Sequence, residues 1–267
     1  MTSHRHTVRV STGAPFSRRG VVVTSGALAA LCVALGAAAP AHAQTEGNGF
    51  LFKTPHGSFA VRGGYNYAFA GSDIFSFTKR ELTLNGGDFN AFTFGADLAI
   101  RLSPRFDAVV GSAYAGTNTP SEFREFLDQN NAPIQQTTTF QRVPITASLR
   151  FYLMPRGRAI GRFAWVPAAF TPYVDVGGGA MWYRFRQQGD FVDQSTMNVF
   201  TDTFSSSGFT PEAHATVGTE FSLGPRFALT GEARYTWAKA QPGSDFAGFD
   251  KIDLSGIAAT AGLAVRF

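Results

Sequence analysis

The chain closes with Ile257-Ala-Ala-Thr-Ala-Gly-Leu-Ala-Val-Arg-Phe267, in which every second residue counted back from Phe267 is apolar. The residues between them, from Gly256 to Arg266, are small or polar. Side chains alternate between the two faces of a β-strand, so this period of two predicts a strand with one apolar and one polar face. The stretch decides the fold because the same pattern recurs along the chain.

Seven further segments alternate in the same way. The eight segments together cover residues 59–69, 92–102, 106–115, 140–153, 173–186, 209–223, 227–238 and 252–267. Each is predicted to be a strand that carries its charges on one face. Alternation by itself also fits a soluble sandwich, whose apolar face would be a core.

The connections between these segments alternate between long and short. Residues 103–105 and 224–226 predict tight turns, whereas the connections predicted to be long loops are residues 70–88, 116–139 and 187–208. Residues 154–172 are a long and basic exception where the alternation predicts a short turn. Long loops at one end and short turns at the other are typical of a membrane barrel.

The N-terminus has the organisation of a cleaved export signal. Residues 1–19 carry four arginines and no acid, residues 20–39 are uncharged and mostly apolar, and Ala41-His42-Ala43 is a small-x-small cleavage site. We expect cleavage after Ala43, and we favour the general secretory route over the twin-arginine route because a barrel crosses the inner membrane unfolded. A transmembrane helix over residues 20–39 is the alternative interpretation.

Charge and cysteine usage exclude several classes of function. Four of the 23 Lys and Arg residues lie in residues 1–43, which leaves 19 basic residues against 19 acidic ones. A formally neutral mature chain gives no support for nucleic-acid binding. The single cysteine, Cys32, lies inside the predicted signal, so we expect neither disulfides nor thiol chemistry in the mature chain.

The terminal strand and the topology resemble those of the small eight-stranded outer-membrane β-barrels, a family similar to the transmembrane domain of outer membrane protein A and to opacity-type surface proteins. The resemblance implies an all-β fold, an eight-stranded antiparallel up-and-down transmembrane β-barrel with long extracellular loops, in the outer membrane of a Gram-negative bacterium. It also implies that the barrel assembly machinery reads a terminal signal formed by Leu263, Val265 and Phe267.

The predicted organisation and partners follow from that resemblance. Residues 1–43 are the signal, residues 44–55 a short periplasmic segment, and residues 56–267 the barrel. We expect a monomer surrounded by membrane lipids that include lipopolysaccharide, with a possible extracellular ligand for the loops. No cofactor or metal is expected, since no metal-ligand spacing, P-loop or dinucleotide fingerprint occurs.

Charged residues on the polar faces are expected to fill the lumen. An eight-stranded barrel is only wide enough for its own side chains, so charges there must pair. Arg101 and Asp107 flank the first tight turn and are expected to pair. The expected interior network is Arg62, Asp97, Arg101, Asp107, Arg142, Arg150, Asp175, Glu212, His214, Glu220, Glu232 and Arg234, with Arg184, Arg186 and Arg266 also assigned inward.

Function is less determined than fold, because the resembling family includes membrane anchors, adhesins, small pores and a few lipid-modifying enzymes. We expect a non-enzymatic envelope or surface protein that acts through its loops. The alternatives are a narrow channel for small solutes and a lipid-modifying hydrolase. In the hydrolase, His214 beside Glu212 would be the base, although no serine lies in a recognisable motif with it.

Overall fold

Long antiparallel strands make up most of the chain in the computed structural model, which describes residues 49–128, 131–193, 196 and 198–267. The strands are β1 (Leu51–Phe52), β2 (Gly57–Ala68), β3 (Ala91–Arg101), β4 (Phe106–Leu127), β5 (Pro133–Tyr152), β6 (Gly157–Ile160), β7 (Ala164–Pro167), β8 (Phe170–Val192), β9 (Val199–Ser222), β10 (Phe227–Ala240), β11 (Ile252–Asp253) and β12 (Gly256–Arg266). One α-helix, α1 (Asp73–Glu81), follows β2, and short 3₁₀ helices cover Gly86–Phe89 and Ser244–Phe246.

Eight of these strands form a closed ring. The order around the ring is β2, β3, β4, β5, β8, β9, β10 and β12, and antiparallel pairing of β12 with β2 closes it. Closure gives each ring strand two neighbours through the central part of the ring, which removes sheet edges there. The predicted eight-stranded antiparallel architecture is confirmed, and each predicted segment overlaps one ring strand, although the last segment begins in β11.

The ring is apolar outside and polar inside. Outward side chains such as Phe92 and Phe209 are 71% and 69% exposed, whereas charged residues on the opposite faces are buried. On β8 the outward aromatic residues Phe170 and Trp182 bound the apolar stretch. They are separated by about 40 Å of strand, or about 28 Å along the axis at a tilt of about 45°, which matches the apolar band of an outer-membrane barrel.

Four strands continue well beyond that band, at the end of the barrel that we call the loop end. Residues 116–139 and 187–208, predicted to be long loops, are largely extensions of β4, β5, β8 and β9. The prediction was wrong because Thr, Gln and Ser occupy both faces there. Above the apolar band the outward face meets water, so the period of two disappears from the sequence while the hydrogen-bonded ladder continues.

The opposite end, which carries the short turns and is called the turn end, is closed by a small sheet. The long segment 154–172 forms the hairpin β6–β7, and β1 adds to it by pairing Leu51 with Trp165. Trp165 is buried, and the guanidinium of Arg266 lies 5.9 Å from its ring. We call β1, β6 and β7 the turn-end cap.

At the loop end, α1 and the adjoining loops pack into the mouth of the ring. Phe75 of α1 is fully buried, with ring centroids 4.8 Å from Phe89, 5.3 Å from Phe140 and 5.5 Å from Phe185. We call this cluster, which also includes Phe246, Ile252 and Leu254, the aromatic core. In the part of the chain that the structure describes, no helix has the length and apolar character needed to cross a membrane.

The predicted signal and its cleavage site at Ala43 lie outside the described residues. The domain boundaries at residues 43 and 55 stay predictions.

Candidate functional site in the lumen

All the residues predicted to form the interior network lie on inward-facing positions of the ring. All but Arg101 and Glu232 are buried, and the side chain of Glu232 is itself only 4% exposed. The register of strand pairing from β2 round to β12 fixes this placement, because a one-residue slip would turn a whole strand's charges toward lipid. The register shift between Glu122 and Leu127 of β4 lies beyond the residues of the network.

Glu232 on β10 lies at the centre of the largest group of contacts. Its Oε1 accepts hydrogen bonds from the Tyr173 hydroxyl at 2.6 Å and from Arg150 Nη2 at 3.2 Å, and its Oε2 lies 3.9 Å from Arg62 Nη1. Arg150 also donates to Asp175 at 3.4 Å and stacks 4.1 Å from the Tyr173 ring. One carboxylate thus links strands from opposite sides of the barrel.

Arg62 on β2 forms the most regular ion pair. It donates from Nε and Nη2 to the two oxygens of Asp97 over 2.8 and 3.0 Å. A Cβ at Gly111 on the neighbouring β4 would overlap the Asp97 carboxylate. The glycine therefore leaves the space that the bidentate pair occupies.

Asp107 pairs with a partner different from the one predicted. Arg101 and Asp107 are cross-strand neighbours as the turn implies, but Asp107 Oδ2 accepts from Arg156 Nη1 at 2.7 Å and from the Tyr152 hydroxyl at 3.3 Å. Arg156 follows β5 in the segment leading to the cap and also donates to the Ser103 carbonyl. The expected Arg101–Asp107 pair is wrong because an arginine from the long turn reaches this carboxylate instead.

Glu220 joins the network to the turn-end cap. Its two oxygens accept from the Tyr152 hydroxyl at 2.8 Å and from Arg266 Nη2 at 2.9 Å. Arg266 also faces Trp165 of the cap. The penultimate residue of the chain therefore helps to close the turn end.

His214 and Glu212 face the lumen side by side, as the spacing predicts. His214 Nδ1 lies 3.0 Å from Glu212 Oε1, and Nε2 lies 3.8 Å from Asp175 Oδ1. Nε2 has no hydrogen-bond partner among the described residues. Neither ring nitrogen is therefore hydrogen-bonded to the hydroxyl of a described residue. The pair lacks the nucleophile that a hydrolase of the serine type requires.

Arg142 and Arg234 bind neutral oxygens. Arg142 donates to the Leu254 carbonyl at 3.1 Å and to Asn66 Oδ1 at 2.7 Å, and Arg234 donates to Thr216 Oγ1 at 3.2 Å. A small cavity of about 40 Å³ adjoins both arginines. That volume is large enough for a water molecule, which needs a cavity of ~10–15 Å³ or more.

Arg184 and Arg186 lie outside the barrel, against expectation. The pairing of β5 with β8 runs without a register shift through Gly177–Gly179, so Asp175 and Tyr183 face inward and Arg184 and Arg186 face outward. The inward assignment was wrong because Asp175 and Arg184 are an odd number of residues apart. Both could face inward only if a β-bulge lay between them, and the β5–β8 pairing contains none there.

The sequence interpretation also missed the aromatic core. The inward position of Phe140 could have been read from the sequence, because Phe140 is an even number of residues from inward Arg142 and Arg150 on the same strand. Phe75 and Phe246 have no such periodic signal, since they belong to α1 and to a short 3₁₀ helix whose positions depend on tertiary packing.

The predicted assembly signal lies at the surface of β12. Leu263 and Phe267 are exposed on the outward face, and the Phe267 carbonyl accepts from the backbone N–H of His56 and of Gly57 at 2.7 and 3.2 Å. The role of Leu263, Val265 and Phe267 in assembly stays a prediction. Among the described residues, no group of three or more His, Cys, Asp or Glu side chains is arranged to hold a metal ion.

The architecture agrees with the protein family whose sequence pattern this chain matches. Residues 28–267 match the family described as "Outer membrane protein beta-barrel domain". The neisserial surface protein A structure is similar at 12% identity, with 79% of this chain and 96% of that chain covered and a TM-score of 0.44. The N-terminal barrel domain of Pseudomonas aeruginosa OprF gives 10% identity, 80% and 100% coverage and a TM-score of 0.31.

The attachment invasion locus protein Ail of Yersinia pestis is also similar, at 13% identity, 79% and 99% coverage and a TM-score of 0.38. No curated protein sequence matches this chain.

Proposed function

Because the chain belongs to the outer membrane protein beta-barrel family and lies in the bacterial outer membrane, we propose that it acts through its extracellular surface and neither conducts solutes nor catalyses a reaction. The observation that carries this proposal is a lumen filled by side chains at three successive levels.

The aromatic core occupies the extracellular level. Phe75 enters the ring from α1 and contacts Phe140 and Phe185 on the inward faces of β5 and β8. Leu82 forms an antiparallel bridge with Phe123, and the Thr83 N–H donates to the Glu122 carbonyl. The chain after α1 is therefore held to the extended part of β4, which keeps the helix in place.

Ion pairs and the cap occupy the other two levels. Contacts of Glu232 with residues from three other strands cross the middle of the lumen. Trp165 and Arg156 of the long turn cover the periplasmic opening. A continuous water path would require breaking buried ion pairs, each of which costs several kcal/mol to leave unpartnered.

The part of the barrel that projects outside supports a surface role. β8 and β9 stay paired from Phe170↔Phe221 to Val192↔Val199, which carries them about 30 Å of strand beyond Trp182. A rigid sheet of this length presents side chains with less loss of conformational entropy than a mobile loop.

Planar-bilayer recording of the refolded full chain tests the closed lumen. We expect no stepwise conductance, with a porin reconstituted in the same bilayers as the positive control. The folded form is recognised by heat-modifiable gel mobility, that is, by a band in SDS that shifts on boiling. A steady ohmic conductance from this form would overturn the proposal in favour of a narrow channel.

A shortened extracellular hairpin tests the surface role. Residues 189–202 are replaced by Asn-Gly, a two-residue turn that joins the paired neighbours Gln188 and Thr203. Cells that display either form are compared with vector-only cells for adhesion to immobilised matrix proteins and glycans. Adhesion by the parent that the shortened form loses supports the proposal, and parent adhesion equal to vector contradicts it.

The hydrolase alternative has its own test. Lipid A from cells expressing the parent, the His214→Ala variant or no protein is compared by mass spectrometry. We expect identical spectra, because no hydroxyl of a described residue is hydrogen-bonded to the His214 ring. A change of lipid A that disappears in His214→Ala would make the protein an enzyme.

A further inference from the structure

The outward face of β8 changes its chemistry one pleat above the apolar band. Val174, Val176 and Trp182 face lipid, and the next two outward residues are Arg184 and Arg186. The guanidinium carbon of Arg184 lies 5.2 Å from the Trp182 ring centroid. Two arginines therefore lie at the height where the outer leaflet's acyl chains give way to its headgroups.

Polar side chains of the neighbouring strands surround these arginines. Gln141 and Thr139 on β5 are the cross-strand partners of Arg184 and Arg186, and Asn118 on β4 follows beside Thr139. The three strands line an open groove of about 900 Å³, which we call the arginine groove. Its amide, hydroxyl and guanidinium groups are the groups that bind phosphates and sugar hydroxyls.

The contacts inside the groove leave donors for a ligand. Arg186 Nη2 donates to Gln188 Oε1, and Arg186 Nε, which is buried beneath the groove surface, has no hydrogen-bond partner among the described residues. Gln141 Nε2 donates to the Tyr114 hydroxyl at 3.2 Å, which orients the amide at the base of the groove. Neither arginine forms an ion pair with a described acid in the groove.

The acid that lines the arginine groove lies far from its base. Glu122 is six positions along β4 from Gly116, the residue beside Gln141. At about 3.4 Å for each residue, the separation along the strand is about 20 Å. The base of the groove is therefore cationic, and an anion there meets Arg184 and Arg186 first.

We propose that the arginine groove binds the phosphorylated sugar headgroup of the outer leaflet's glycolipid, with its acyl chains along the apolar band below. Continuity of the groove with the lipid-facing surface favours a lipid over a soluble anion, because one molecule contacts both regions. Arginine favours this ligand, since its planar guanidinium binds phosphate oxygens in pairs. This site is independent of whether the lumen conducts.

The test measures binding of bisphosphorylated lipid A to the full chain in detergent micelles. The double variant Arg184→Gln/Arg186→Gln is compared with Arg80→Gln, which removes an exposed arginine of α1 that does not line the groove. We expect the affinity to fall by about tenfold or more in the double variant, as for lost charged hydrogen bonds, and by less than about twofold in the control. Heat-modifiable mobility shows that each variant is folded.

Two ligand arms distinguish the possible sources of the anion. Dephosphorylated lipid A, which keeps the acyl chains, should bind the parent about as weakly as bisphosphorylated lipid A binds the double variant. Inorganic pyrophosphate should compete poorly. Equal affinity of parent and double variant for bisphosphorylated lipid A overturns the proposal, and so does strong arginine-dependent binding of pyrophosphate, which would assign the groove to a soluble anion.

Discussion

The two halves of the lumen are filled by opposite chemistries. In the half nearer the turn end, charged residues of the strands form ion pairs, between adjacent strands for Arg62 and Asp97 and across the barrel for Arg150 and Glu232. In the half nearer the loop end, Phe75 and its aromatic neighbours form an apolar core into which α1 inserts. Every ion pair in the first half involves side chains held by the ring or its turn, whereas the second half depends on a helix between two strands.

This difference teaches how each half can fail. Charges on a closed ring cannot move away from one another, so loss of one partner leaves a buried charge that destabilises the whole barrel. The aromatic core can open locally, because α1 can detach without breaking the ladder of any ring strand. The following predictions test that contrast, from the largest expected effect to the smallest.

Replacement of Glu232 by alanine is expected to have the largest effect on stability. The change leaves Arg150 without one of its two acceptors, leaves the Tyr173 hydroxyl without its acceptor and removes the negative charge near Arg62, so the free energy of unfolding should fall by roughly 3 to 5 kcal/mol. Urea unfolding in detergent measures this. The exposed pair Arg80–Glu81 provides the control, and Glu81→Ala should cost less than about 1 kcal/mol. Equal losses in both variants would contradict a buried network.

Replacement of Phe75 by alanine should open the loop end without unfolding the ring. Truncation of a fully buried phenylalanine costs about 3 kcal/mol or more, which here favours release of α1. Trypsin cleavage after Lys79 and Arg80 should become roughly 100-fold faster while the heat-modifiable band persists. Phe77→Ala, at a more exposed position of the same helix, should change the rate much less. Loss of the folded band would show that the two halves are not separable.

Replacement of Gly218 by alanine tests the packing beneath Glu232. A Cβ at this position would lie about 2.5 Å from the Tyr173 ring, so the ring that donates to the Glu232 carboxylate must shift. Overpacking of this kind costs roughly 1 to 3 kcal/mol in the free energy of unfolding. Gly224→Ala, where the added Cβ meets no atom within 4 Å, is the control in the same unfolding assay. A variant as stable as the parent would mean that Tyr173 has room to shift.

The smallest expected effect is a coupling energy, measured by two double-mutant cycles that show which arginine pairs with Asp107. Asp107→Ala combined with Arg156→Gln should show a coupling of the order of 1 kcal/mol or more, because the two side chains are 2.7 Å apart. Asp107→Ala combined with Arg101→Gln should be close to additive, since no bond joins that pair. The reverse result would mean that Asp107 pairs with its cross-strand neighbour.

Much of this architecture could be predicted from the sequence because a lipid-facing barrel imposes one repeated rule. Wherever the outward face meets acyl chains it must be apolar, so the period of two marks the residues from Phe59 to Phe69 and from Ile257 to Phe267 as strands. The same rule assigned Arg62, Asp97 and Glu232 to the lumen before any contact was known. The rule no longer applies above the membrane surface, where the outward face meets water. The sequence therefore did not reveal the extensions of β8 and β9 as strands.

By itself, then, the sequence determined the strand number, the inward residues of the network and the outer-membrane address, because parity is a local property that each strand carries. Only the tertiary structure decided that Asp107 binds Arg156, that Phe75 fills the mouth of the ring and that Arg184 faces outward. These outcomes depend on how the long turn, α1 and an unbroken β5–β8 register meet in space. Contacts between residues that are far apart in the chain depend on tertiary packing, and the alternation pattern of the sequence carries no information about them.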